Sequence, residues 1–108
     1  MANTYIATGS TSIGTTDSTI YSAGASTTAI VKSLYLSNVS TGTYYVTVST
    51  DFENSGTKHI LLESGEVPTQ SALQVIDGAV VLNNRASIYI HASESSVIHA
   101  TAAILEIT

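Results

Sequence analysis

The sequence predicts an all-β protein: a single antiparallel β-sandwich of about eight strands, jelly-roll-like in architecture. Three observations predict it. Short runs rich in Val, Ile, Thr and Tyr recur at intervals of roughly ten residues, bounded by Gly, Asn, Asp and Ser, the spacing of strands and turns in sandwiches and barrels. Nowhere do apolar residues keep helical spacing over three turns. Finally, only 10% of residues are charged, against ~25% in ordinary soluble domains, and 16 Ser and 16 Thr take their place. Threonine is β-branched and suits a pleated, half-buried surface.

The elements follow in chain order. Residues 1–17 read as a polar N-terminal arm carrying a short strand at Thr4 to Thr8, and such an arm gains order against a neighbour. Residues 18–108 read as the sandwich. Its first strand is Ser18 to Ala23, followed by the turn Gly24-Ala25-Ser26. Thr28 to Val39 comes next, with Ile30, Leu34 and Leu36 on one buried face and Lys32 interrupting it, snorkelling outward near a sheet edge. Thr43 to Phe52 places Tyr44, Val46, Val48 and Phe52 on one side. "ENSG" turns the chain into Lys58 to Glu63, and Pro68 in "SGEVPTQ" marks a loop or an edge. Leu73 to Ile76 and Ala79 to Leu82 read as a hairpin joined by Asp77-Gly78. Ala86 to Ser93 and Val97 to Ile107 close the chain. Eight strands suit two four-stranded sheets, and no clean internal repeat points to a solenoid.

The 108 residues fit one domain, which buries roughly 65% of its unfolded surface and gains from a partner's. With net charge −5 and only Lys32, Lys58 and Arg85 positive, there is no cationic cluster for nucleic acid. The absence of cysteine removes disulfides, thiolate nucleophiles and zinc fingers. No apolar run approaches the ~18 residues of a membrane span, and "MANTYIATGSTSIGTTDS" lacks the basic start and apolar core of a secretory signal.

Candidate chemistry is sparse. If the last two strands form a hairpin with Ser95 central, Ile90 faces Ala100, Ala92 faces Ile98, and His91 lies directly opposite His99 on the other face. Two imidazoles lack the third ligand a metal wants, so this pair reads as a solvent or subunit surface, with a pH-sensitive contact as the alternative. Asp51, Glu53 and Asn54 alternate oxygens but lack the remainder of a calcium loop, and read as a solvated strand end. Asp17, Asp51 and Asp77 could each meet a histidine, yet no Gly-x-Ser-x-Gly is present. "NVS" at Asn38 to Ser40 reads as an Asx-type turn rather than a glycosylation site. Tyr44-Tyr45 could anchor a contact. No catalytic, cofactor-binding or metal residue is assigned, and no enzyme is expected.

From residue 18 onward the chain resembles a group of small β-sandwich virion structural proteins of tailed bacteriophages. The matching stretches are Ile20-Tyr21, Thr28 to Ser37, Val46 to Val48, Val67-Pro68, Leu73 to Leu82 and Ile104 to Ile107. It departs from their pattern at Ser22-Ala23-Gly24, which lacks a proline, and at Thr69-Gln70 after Pro68. The resemblance implies a capsid decoration or cement protein, or a neck or tail component, working without cofactors in the virion after synthesis in the host cytoplasm. It also implies the major capsid protein or neighbouring virion proteins as partners, and a homo-oligomer, by analogy a homotrimer. Hydrophobic residues on both faces of one strand, Val31 and Tyr35 opposite Leu34, suggest that one sheet packs on another subunit. The alternative is a carbohydrate- or receptor-binding module of a tail or fibre.

Overall fold

The computed structural model describes residues 3–11, 13–52 and 58–107, with the backbone alone at 77 and 78. Among the described residues it has eight strands: β1 (Asn3–Ser10), β2 (Ser18–Ser22), β3 (Thr28–Asn38), β4 (Tyr44–Asp51), β5 (His59–Val67), β6 (Ala72–Leu82), β7 (Ser87–Ala92) and β8 (Ile98–Ile107). They form two four-stranded antiparallel sheets, ordered β1-β8-β3-β6 and β2-β7-β4-β5. The partners β1/β8, β2/β7, β3/β6 and β4/β5 nest inside one another. The chain is therefore one long hairpin, rolled until β8 also meets β3 and β7 also meets β4. That is the jelly roll.

The core lies between the sheets. One inner face supplies Val31, Leu34, Leu36, Ala100, Ala102 and Ile104; the other supplies Val46, Val48, Ile88, Ile90 and Ala92, and none is more than 3% exposed. Each large aliphatic side chain buried this way contributes roughly 1.5–3 kcal/mol. Small alanines along β8 let the facing isoleucines approach, as a close-packed interior requires.

Strand β3 changes its inward parity midway. Ala29 and Val31 are buried before Lys32, and Leu34, Leu36 and Asn38 after it. The pairing with β8 steps two residues on β3 against one on β8 at this point, so Lys32 is the extra residue of a β-bulge. The expected face of Ile30, Leu34 and Leu36 is thus corrected: Ile30 points outward and Val31 lies in the core. Lys32 is exposed at the bulge and interrupts no stripe.

A second bulge lies alongside. Val31 pairs with Val80 and Ser33 with Asp77, two residues on β3 against three on β6. Asp77-Gly78 is therefore no hairpin turn; β6 runs through it, and both flanks pair with β3. The dipeptide that favours tight turns also suits a bulge, because both tolerate unusual backbone angles. Eight strands result because β6 unites two expected ones while the expected arm strand supplies β1. Strand β5 also extends beyond Glu63 to the buried Val67, bending at Ser64, whose φ is 50°. The expected turn over 53–56 lies outside the described residues.

The largest correction concerns the chain end. β7 and β8 belong to different sheets, so they form no hairpin. Their inner faces are the expected ones, with Ile88, Ile90, Ala92, Ile98, Ala100, Ala102 and Ile104 all buried. Two apolar strand faces meet equally well side by side in one sheet or stacked across two. The burial pattern alone does not separate these arrangements.

Candidate functional site

The two histidines lie on separate sheets. His99 is opposite Ser37 of β3, and His91 is opposite Thr47 of β4. The facing pair does not form. His59 begins β5, its ring 5.3 Å from that of Phe52.

His91 instead meets an acid. Tyr89 and His91 are two residues apart on β7 and share its outer face. Ser18 pairs with Ile90, which brings the preceding Asp17 beside His91. His91 Nδ1 donates to Asp17 Oδ1 at 2.8 Å, and the Lys58 ammonium donates to Asp17 Oδ2. Lys58 Nζ also sits 4.5 Å from the centre of the Tyr89 ring, a cation–π contact. Hydrogen bonds from Lys58 and then His91 hold the Asp17 carboxyl below its ordinary value, so it is ionised and accepts both protons. Of the three aspartates that could have met a histidine, Asp17 is the one brought to this contact. An imidazole oriented by a carboxylate is two-thirds of a hydrolytic relay. Among the described residues no hydroxyl is hydrogen-bonded to its other nitrogen, and no group of three metal-ligating side chains is present.

Two other candidates resolve structurally. Asp51 is 4% exposed, opposite Ser87, so it is no solvated strand end; Glu53 and Asn54 lie outside the described residues. Asn38, 2% exposed, accepts from Ser40 N at 2.9 Å and Ser40 Oγ at 2.7 Å. Its amide donates to Gly42 O at 2.7 Å and Val67 O at 2.9 Å. This is the expected Asx turn, and it pins the β3–β4 loop to the end of β5.

The other sheet presents a different surface. Tyr5 pairs with Leu105, Leu105 with Ile30, and Ile30 with Val81. Residues directly opposite share a face. The outer face of this sheet therefore carries an unbroken apolar row across all four strands, with Tyr5 76% and Val81 48% exposed. Tyr35 stands four pairs further along β3, also exposed. Of the two residues expected to face another subunit, Tyr35 lies on this surface and Val31 in the core; the row's members follow from register, which no single strand reveals.

No family model and no curated sequence matches the chain. Its fold, however, is shared. It is similar to a protein of the acid-stable capsid of Helicobacter pylori bacteriophage KHP30, with 10% identity, 100% of this chain and 89% of that chain covered, and TM-score 0.55. It is similar to a chain of infectious bursal disease virus, Gx strain, with 10% identity, 97% of this chain but 32% of that chain covered, and TM-score 0.60. A subunit of the disulfide-linked pili that form Bacillus endospore appendages matches at 16% identity, with 99% and 87% covered and TM-score 0.54. The protein is a jelly-roll β-sandwich.

Proposed function

We propose that this protein is a non-enzymatic structural component of a virus particle, and specifically a capsid decoration or cement protein of a tailed bacteriophage. One observation carries the reading: the apolar row Tyr5–Leu105–Ile30–Val81, which crosses all four strands of one sheet. A row of this kind covers a neighbour without desolvating ions, which would be costly. The capsid-like fold and the expected sequence resemblance support the same role. Its partners are then the major capsid protein or adjacent virion proteins, with further copies of itself, three in the cement-protein arrangement. Its location is the particle, after synthesis in the host cytoplasm. The polar arm 1–17 provides the strand that carries Tyr5 to this surface.

Co-sedimentation of the purified protein with empty phage shells tests the reading, alongside glycan binding. Binding to shells, lost in Val81→Lys and Ile30→Lys while both variants stay folded, is the expected result. Glycan or cell binding by the isolated protein without shell binding would overturn it in favour of a receptor-binding module.

A further inference from the structure

The four outer strands of the two sheets are not equally protected. An open sheet edge is a template for pairing, and proteins blunt it with short strands, charges and bulges. β2 has five residues and a register shift between Thr19 and Tyr21. β5 carries Glu63 and Glu66 and bends at Ser64. β6 contains Asp77 and a bulge. β1, with the sequence NTYIATGS, has none of these devices: it is eight residues long, uncharged, and pairs with β8 without a single register shift.

We propose that β1 is a self-pairing edge: two copies of this chain join antiparallel along Tyr5 to Gly9, on the side of β1 away from β8, continuing one sheet across both molecules. Charges and bulges oppose edge pairing, and among the described residues β1 is the edge strand that lacks both, so a second β1 is the partner least opposed. A twofold contact of this kind closes on itself, so it yields a discrete dimer.

Pleating sets the register. Tyr5, Ala7 and Gly9 are exposed on the outer face, and opposed residues must share a face. Centring the twofold on Ala7 pairs Tyr5 of one copy with Gly9 of the other, the aromatic ring covering the position without a side chain. It also sets the apolar rows of both copies on one side of the joined sheet. The inference rests on the proposed assembly role for its setting, since it names a second copy as one partner. It leaves the outer apolar face free for a shell or for a threefold contact.

Analytical ultracentrifugation of the full chain tests it, beside Ala7→Lys, which sets two ammonium groups face to face. The wild type should dimerise across the micromolar range, and Ala7→Lys should dimerise about tenfold more weakly or worse, the scale of juxtaposed like charges. An unchanged far-ultraviolet spectrum and melting temperature in Ala7→Lys show that β1 remains folded. The chain has no cysteine, so under mild oxidation Ala7→Cys should give a covalent dimer. Ala103→Cys, one strand inward and separated from its counterpart by about 14 Å, should not. A wild type that stays monomeric, or an Ala7→Lys that dimerises like it, overturns the proposal. Shell binding by such a monomer would leave the proposed function standing while this inference falls.

Discussion

The phenolic hydroxyl of Tyr21, on β2 of one sheet, donates a hydrogen bond to the carboxylate of Glu106, on β8 of the other. The residues are 85 positions apart, and the bond ties the two layers at the mouth of the sandwich. Burial, then the Glu106 acceptor, holds the Tyr21 hydroxyl far above the ordinary range of a phenol.

Tyr21→Phe should therefore destabilise the fold by about 1.5–3 kcal/mol, the range of a hydrogen bond to a charged group. The bond also sets an alkaline limit. Unfolded Tyr21 ionises near 10.0, the ordinary value of a phenol, while the folded hydroxyl keeps its proton, so stability should hold to about pH 10 and fall above it. Urea unfolding of wild type and Tyr21→Phe across pH 7 to 11 measures both effects. Equal alkaline slopes in the two proteins would refute the second.

Asp17 works in the opposite direction. Its folded pKa is depressed by Lys58 and His91, so its contribution is present above 3.8, the ordinary value of an aspartate, and is lost as pH falls through the lower folded value. The cluster is solvent-accessible and the effect is small and salt-screened. Melting temperature followed from pH 7 to pH 3 should drop less steeply in Asp17→Asn than in the wild type, and added salt should narrow the difference.

The bulge at Lys32 separates two leucine-sized neighbours by consequence. Leu34 is fully buried, so Leu34→Ala should cost about 2–5 kcal/mol. Ile30 lies on the outer row, so Ile30→Ala should cost much less and weaken association with shells instead. Chemical denaturation of both variants decides it; equal losses would mean that the strand keeps one parity throughout.

Gly9 meets β8 closely. A Cβ there would lie 2.5 Å from the backbone oxygen of Ala100, and a backbone atom yields little. Gly9→Ala should destabilise by about 1–3 kcal/mol, the usual range of overpacking. The loss should concentrate in β1, read as faster amide exchange over residues 4–9 while β3 and β4 keep their protection. Uniformly faster exchange would contradict a separately held edge strand.

How much of this was legible beforehand depends on whether the feature is local. The turn at Asn38 was, because an Asx side chain bonds its own backbone two residues on. The alternations in β7 and β8 were too, since a pleated strand buries every second residue whatever covers it. Asp77-Gly78 reads locally as a turn and is a bulge in the sheet, because turn and bulge ask the same tolerance of the backbone. The encounter of Asp17 with His91 had no local signal at all, as 74 residues separate them.

Taken alone, the sequence determined an all-β sandwich of about eight strands and its inward residues over most of the chain. Those properties are set by periodicity, by composition and by the residue types present. The tertiary structure alone decided that β8 leaves β7 for β3, that Lys32 switches the buried parity of its strand, and that Tyr5, Leu105, Ile30 and Val81 fall into one row. Strand partners are chosen among long-range alternatives that bury the same side chains equally well, and only the assembled sheets distinguish them.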